Sequence, residues 1–133
     1  MKTKSTLILL VSIIIAVSFV LSAQSKEKKN STTKSKVTFI ELGSVNCIPC
    51  KMMQPVMKNI EKKYGEQVKV IFYDVWTQEQ RQYAEQYKIR VIPTQVFLDE
   101  NGKEFHRHEG FYPEEEIAKL LKSRGLKPKN KGD

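Results

Sequence analysis

The stretch 46-NCIPCK-51 holds both cysteines of this 133-residue chain and lies between two segments of different periodicity. The preceding segment, VTFIEL at residues 37–42, is rich in β-branched and aromatic residues and ends at Gly43, which is typical of a buried strand. The following segment repeats apolar residues at helical spacing, at Met53, Met57, Ile60 and Tyr64. Pro49 suits a first helical turn, where no backbone donor is lost. The cysteine pair is therefore predicted at a strand-to-helix junction.

The rest of the chain continues to alternate strands and helices. VKVIFYDV at residues 68–75 predicts a second strand, and the capping-box pattern of Thr77 and Gln80 predicts a helix over residues 77–87. The turn sequence DENG at residues 99–102 predicts a hairpin between strands at residues 94–98 and 104–109. Pro113, followed by three glutamates, predicts the start of a last helix, which Gly125 ends.

The predicted element order is β-α-β-α-β-β-α. A strand-helix-strand unit implies a parallel pair of strands, whereas a tight turn forces an antiparallel pair. The sequence therefore predicts one α/β domain over residues 37–126, with a central mixed four-stranded sheet flanked by helices.

Three roles are open to the two cysteines. A disulfide that closes so short a loop changes the entropy of the unfolded chain little, so a structural staple is disfavoured. A closed zinc site needs four ligands, and the histidines that could join the cysteines are His106 and His108. We interpret these two histidines as part of a solvated strand face, so a zinc site is disfavoured. A copper-handling site stays open as an alternative. At the start of a helix the thiolate of Cys47 is stabilised. Cys50, one turn further on, is placed to resolve a mixed disulfide. These two positions favour a redox pair.

These motifs give the chain a resemblance to the thioredoxin family over residues 37–125. CIPCK resembles the redox box of the family, Pro55 falls where the family kinks its redox helix, and IPT at residues 92–94 resembles its cis-proline loop. Glu41 stands six residues before Cys47, at the spacing of the buried acid of the family. The resemblance implies a thioredoxin-like fold, a thiol-disulfide oxidoreductase activity and a cis Ile92–Pro93 bond.

The resemblance also implies which residues form the site. The residues expected to take part in exchange are Cys47, Cys50, Glu41 and Pro93. The residues expected to contact substrate are Asn46, Ile48, Pro49, Ile92 and Thr94. Asn46 replaces the tryptophan that usually precedes the first cysteine, and Ile48 replaces a glycine, so the surface that meets a substrate is altered. Val70 stands where a lysine usually partners the buried acid, so proton handling is expected to differ.

Glu41 interrupts an apolar strand on the same face as Val37 and Phe39. One interpretation is an ordinary polar residue at the end of a half-exposed strand. The other starts from the cost of burying a carboxylate without a partner, which raises its pKa. Such a group is able to take the proton of Cys50 during the resolving step.

The two ends of the chain differ in composition from the middle. Lys2 and Lys4 precede an apolar run over residues 7–21, which predicts a signal peptide or membrane anchor at residues 1–23. A lysine-, serine- and threonine-rich linker is predicted at residues 24–36, and a basic polar tail at residues 127–133. We therefore expect an extracytoplasmic protein, either released after export or tethered to the membrane.

The formal net charge of +8 comes largely from these polar ends, and no basic stripe is interleaved with aromatic residues, so nucleic-acid binding is disfavoured. No histidine or arginine lies between the cysteines, which favours a reductant. The resemblance implies a membrane thiol-electron transporter as electron donor and oxidised proteins, with apocytochrome c among them, as acceptors. We expect a monomer without a cofactor or metal. A copper chaperone and a non-catalytic binding module stay open as alternatives.

Overall fold

Four strands form one mixed sheet in the order β2-β1-β3-β4 in the computed structural model, which describes residues 34–129. The strands are β1 (Val37–Gly43), β2 (Val68–Asp74), β3 (Thr94–Asp99) and β4 (Glu104–Glu109). β1 runs parallel to β2 and antiparallel to β3, and β3 runs antiparallel to β4. The predicted mixed four-stranded sheet and hairpin are therefore confirmed.

The signal peptide or anchor, most of the linker and the last four residues of the tail lie outside the described residues. Within residues 34–129 no helix combines the length and the apolar character needed to cross a membrane.

Helix α1 (Ile48–Tyr64) connects the two parallel strands. It begins with Pro49 in its first turn and contains Pro55 in its interior. Its buried residues include Met53, Met57, Ile60 and Tyr64, which are the positions that the sequence periodicity predicts. Gly65 ends the helix with a φ of +55°, a backbone conformation that side chains other than glycine rarely adopt, and a short 3-10 turn (Gly65–Gln67) leads into β2.

The sheet separates two apolar clusters because successive residues of a strand point to opposite faces. On one face Val37, Phe39 and Phe97 pack with α1 and with helix α3 (Glu114–Ser123). On the other face lie Ile40, Leu42 and Val96, against which the residues around the short helix α2 (Gln82–Gln86) pack. Glu41 lies on the face of Val37 and Phe39, so its side chain points toward the α1 layer.

The predicted helix over residues 77–87 was too long, because α2 includes only Gln82–Gln86 and is preceded by turns. The capping box that suggested it is only half formed. Thr77 Oγ1 accepts the backbone N–H of Gln80 at 3.3 Å, but Gln80 Oε1 accepts the N–H of Asp74 at 2.7 Å instead of that of Thr77. The glutamine thus ties the turn to the end of β2, and the predicted strand end at Val75 moves back to Asp74.

Candidate redox site

The two cysteines lie at the start of α1 and are joined by a disulfide, with their Cα atoms 5.2 Å apart. Cys47 is the residue that caps the helix, with an extended backbone (φ −92°, ψ 126°), and Cys50 lies in the first turn. Cys47 is 8% exposed and Cys50 is fully buried, while Asn46, Ile48 and Pro49 around them are exposed. The pair is therefore asymmetric, because a thiol substrate reaches Cys47 more readily than Cys50.

The loop before Cys47 is held by the end of β2. The two carboxylate oxygens of Asp74 accept the backbone N–H of Val45 at 3.2 Å and that of Trp76 at 3.1 Å. The N–H of Val75 donates to the carbonyl of Gly43 at 2.9 Å. A single carboxylate therefore fixes the loop that enters the redox helix against the loop that follows β2.

This tether brings an unexpected aromatic residue beside the site. The side chain of Trp76 is 60% exposed, and Val45 and Ile48 are exposed apolar residues on the neighbouring loop and helix start. The sequence prediction missed both Trp76 and Asp74. The available signal was that Trp76 is the only tryptophan of the chain and comes just after a strand end.

The cis-proline loop lies at the same edge of the sheet. The Ile92–Pro93 bond is cis, as the resemblance implies. β3 begins at Thr94, which pairs with Leu42 near the end of β1, so Pro93 and the cysteine loop leave the sheet side by side. The hydroxyl of Thr94 is buried and donates to the carbonyl of Val91 at 2.7 Å, so this side chain shapes the loop rather than facing solvent.

Glu41 is fully buried in the middle of this arrangement. Burial raises its pKa from 4.5 to about 8, although a hydrogen bond from Gln95 Nε2 to Oε2, 2.9 Å long, acts in the opposite direction. Within residues 34–129 no cationic side chain forms an ion pair with it. Val70 pairs with Phe39 in the sheet register, and the residue opposite Glu41 on β2 is Phe72.

The carboxyl group of Glu41 and the sulfur of Cys50 both lie close to Gly43, which has no side chain between them. A Cβ atom added to Gly43 would lie 3.1 Å from Cys50 Sγ and 3.4 Å from Glu41 Oε1. Both groups therefore approach the same point beside the Gly43 backbone. This geometry places an acid whose pKa is raised to about 8 near the sulfur of Cys50, which is the resolving thiol once the disulfide is reduced.

His106 and His108 do not form the predicted solvated strand face, because both contact Tyr112 and are partly buried. The hydroxyl of Tyr112 lies 3.1 Å from His106 Nε2, and the ring of His108 stacks on that of Tyr112 with centroids 4.1 Å apart. His108 Nε2 also lies 3.2 Å from the carbonyl of Phe111. The part of the chain that the structure describes holds no cluster of three or more histidine, cysteine or acidic residues arranged for a metal ion.

Comparison with known proteins matches residues 23–125 to a thioredoxin-like domain. The chain is 28% identical to chloroplastic thioredoxin Y of Oryza sativa subsp. japonica over 66% of its own length, and it spans about half of that relative (51%). It is also 28% identical to the thioredoxin of Bacillus subtilis (strain 168), over 69% of this chain and 86% of the relative. A mutant thioredoxin from Halobacterium salinarum NRC-1 superimposes with a TM-score of 0.60 at 25% identity, over 69% of this chain and 77% of that one.

Proposed function

This chain belongs to the family of thioredoxin-like domains, and from that premise we propose that it is a thiol-disulfide oxidoreductase that reduces disulfides of extracytoplasmic proteins. The observation that carries the proposal is the asymmetric cysteine pair at the start of α1, in which Cys47 is 8% exposed and Cys50 is fully buried. The Pro93 loop leaves the sheet at the same edge as the cysteine loop. Glu41 lies on the buried side of the pair, near Cys50.

The proposed reaction begins with the reduced pair. The Cys47 thiolate attacks one sulfur of a substrate disulfide, whose S–S bond breaks and releases one substrate thiolate. Cys50 then loses its proton to the carboxylate of Glu41 and attacks Cys47 Sγ, which releases the second substrate thiolate. The two released thiolates take up protons, the substrate gains two electrons, and the enzyme is left with the Cys47–Cys50 disulfide that the structure contains.

The direction of electron flow follows from what stabilises the Cys47 thiolate. Ile48 and Pro49 between the cysteines add no positive charge to the stabilisation that the helix start provides. A dithiol that is stabilised only modestly favours a reductant, since a strongly stabilised dithiol makes an oxidant.

The cellular setting is part of the proposal and rests on the sequence before residue 24. The lysine-flanked apolar run supports an exported or tethered protein. A reductant outside the cytoplasm needs electrons, so we propose a membrane thiol-electron transporter as donor. The acceptors are oxidised envelope proteins, with apocytochrome c as the first to test. The exposed residues Asn46, Ile48, Pro49 and Trp76, together with the partly buried Ile92 of the cis-proline loop, form the proposed substrate surface.

The test is the reduction potential of the pair in the full chain, measured together with insulin reduction and metal content. We expect a potential closer to the about −270 mV of thioredoxin than to the about −120 mV of DsbA. Insulin reduction should be abolished in Cys47→Ser. A potential near the oxidising value argues against the reductant. Tightly bound Cu(I) that is lost in Cys47→Ser points to copper handling, and an inert pair points to a binding module.

A trapping experiment tests the division of labour between the cysteines. Cys50→Ser should accumulate a mixed disulfide through Cys47, because the resolving thiol is missing and Cys47 is the accessible sulfur. The matched variant Cys47→Ser should accumulate none. Adducts formed mainly by Cys47→Ser would reverse the assignment of the nucleophile.

A further inference from the structure

Gln95 is a fully buried polar residue and the second residue of β3. The strand register places it opposite Glu41 of β1 and opposite His108 of β4. A carboxyl, an amide and an imidazole therefore lie in a row across three strands, on the face of the sheet that α1 covers. Because burying an amide without partners is unfavourable, the contacts of Gln95 indicate what it does there.

The contacts of the amide set its orientation. Gln95 Nε2 donates to Glu41 Oε2 at 2.9 Å and to the backbone carbonyl of Gly110 at 3.1 Å. The carbonyl oxygen of Gly110 is an acceptor in either protonation state of Glu41, so turning the amide over would place its oxygen against that carbonyl oxygen. The NH₂ group is therefore held toward the carboxyl group of Glu41, and Gly110 holds it in place.

This orientation distinguishes the two oxygens of Glu41. Oε2 is occupied by the amide donor, whereas Oε1 has no hydrogen-bond partner and lies near the point beside Gly43 that Cys50 Sγ also approaches. A proton on Oε2 would meet the donor hydrogens of Gln95. A proton on Oε1 leaves that hydrogen bond intact, because Oε2 still accepts.

We propose that Gln95 is a positioning residue for thiol exchange, which directs proton transfer to Oε1 of Glu41 and favours the carboxylate form. The catalytic meaning of this role rests on the proposed function, whereas the effect on Glu41 does not. The hydrogen bond from Gln95 lowers the pKa of Glu41 against the larger effect of burial, in agreement with this role. Gln95 thereby extends to lower pH the range in which Glu41 accepts the proton of Cys50.

Among the described residues, Gln95 is the one side chain that donates a hydrogen bond to Glu41. α1 presents Cys50, and β2 presents Phe72 opposite Glu41. Asp74, level with Gly43 on β2, directs its carboxylate to backbone N–H groups of the adjoining loops. His108 of β4 lies beyond Gln95, stacked on Tyr112, and His106 lies two pairs further along, opposite Phe97.

The first test is spectroscopic and uses the full chain labelled with ¹³C and ¹⁵N. In the wild type, the side-chain NH₂ signal of Gln95 should titrate with the same midpoint as the Glu41 carboxyl carbon. In Gln95→Met, which keeps the length of the side chain but removes the donor, the Glu41 midpoint should rise by about one pH unit or more, because a hydrogen bond to the charged form is lost. Gln95→Leu provides a second variant of the same kind.

The matched control is Gln67→Met. Gln67 also donates twice through Nε2, to the carbonyls of Tyr64 and Lys127, but it lies beyond the far end of α1. This variant should leave the Glu41 midpoint unchanged. A shift of the Glu41 midpoint in Gln67→Met equal to that in Gln95→Met would overturn the proposal. A wild-type Gln95 NH₂ signal that does not change as Glu41 titrates would also overturn it, and this result does not require either Gln95 variant to fold.

The second test follows the rate of the resolving step across pH. Gln95→Met should move the limb of the pH profile that belongs to Glu41 upward by about the same amount. In a Glu41→Gln background the same substitution should move no limb. A uniform loss of rate with an unmoved limb would reduce Gln95 to a structural residue. If the midpoint shifts but the wild type reduces no disulfide, the proposed function fails and the positioning of Glu41 stands.

Discussion

Replacing Glu41 with glutamine should change how the stability of the protein depends on pH. The side chain is fully buried, and burial raises its pKa from 4.5 to about 8. The unfolded chain therefore releases this proton near pH 4.5, while the folded chain keeps it until about pH 8. Between these two values the unfolded state is increasingly favoured as the pH rises, and Glu41→Gln removes this effect.

The magnitude follows from the two pKa values. Each pH unit between 4.5 and 8 should lower the free energy of unfolding of the wild type by about 1.4 kcal/mol relative to the variant. The difference should reach about 3 kcal/mol at pH 7 and level off at about 5 kcal/mol above pH 8. Other titrating groups, such as His106, contribute equally to both proteins and cancel.

The measurement is urea unfolding of the oxidised wild type and of Glu41→Gln, at intervals of one pH unit from pH 5 to pH 9. Glu61→Gln serves as control, because it makes the same substitution at an exposed position of α1 and leaves the buried carboxyl of Glu41 in place. Parallel curves for wild type and Glu41→Gln would refute the reasoning, since the buried carboxyl would then titrate as it does in the unfolded chain.

Three further substitutions test other parts of the site and core. Trp76→Ala should lower kcat/KM for a protein disulfide at least about fivefold, because an apolar contact of roughly 1 kcal/mol is lost. The variant should reduce a small organic disulfide as fast as the wild type does. An equal loss with both substrates would contradict a substrate-binding role. Phe39→Ala removes a fully buried ring stacked on Phe97 with centroids 4.7 Å apart, and denaturant titration should show a loss of about 3 to 5 kcal/mol. Gly43→Ala places a Cβ atom 3.1 Å from the sulfur of Cys50. Stopped-flow measurements should therefore show slower resolution of the mixed disulfide, and the stability should fall by about 1 to 3 kcal/mol. An unchanged rate would mean that Cys50 does not need the space that Gly43 leaves free.

Much of the fold was predictable because the signals that specify it are local. The β-branched run before Gly43, the helical spacing from Met53 to Tyr64 and the DENG turn each lie within one element, and the structure has β1, α1 and the hairpin there. The spacing of Cys47 and Cys50 and the strand that carries Glu41 placed the two thiols at a helix start and the acid on the α1 face of the sheet.

The errors and omissions arose where one element depends on another. The helix over residues 77–87 was predicted too long because the side chain of Gln80 bonds to the end of β2 instead of capping its own helix. The histidines of β4 were predicted on a solvated face because Tyr112, which packs on them, comes from the segment that follows the strand.

By itself the sequence determined the order of strands and helices, the strand-to-helix junction that carries the cysteine pair and the presence of an acid in an apolar strand, since periodicity and turn residues act over a few positions. The tertiary structure alone decided which groups surround that acid. Gln95 reaches Glu41 across 54 positions only because β3 pairs with β1 in one register, and a shift by one residue would turn its side chain to the opposite face. Asp74 likewise joins Val45 to Trp76 only because β2 ends beside β1. Contacts of this kind depend on the packing of whole elements against each other, and no short stretch of sequence encodes them.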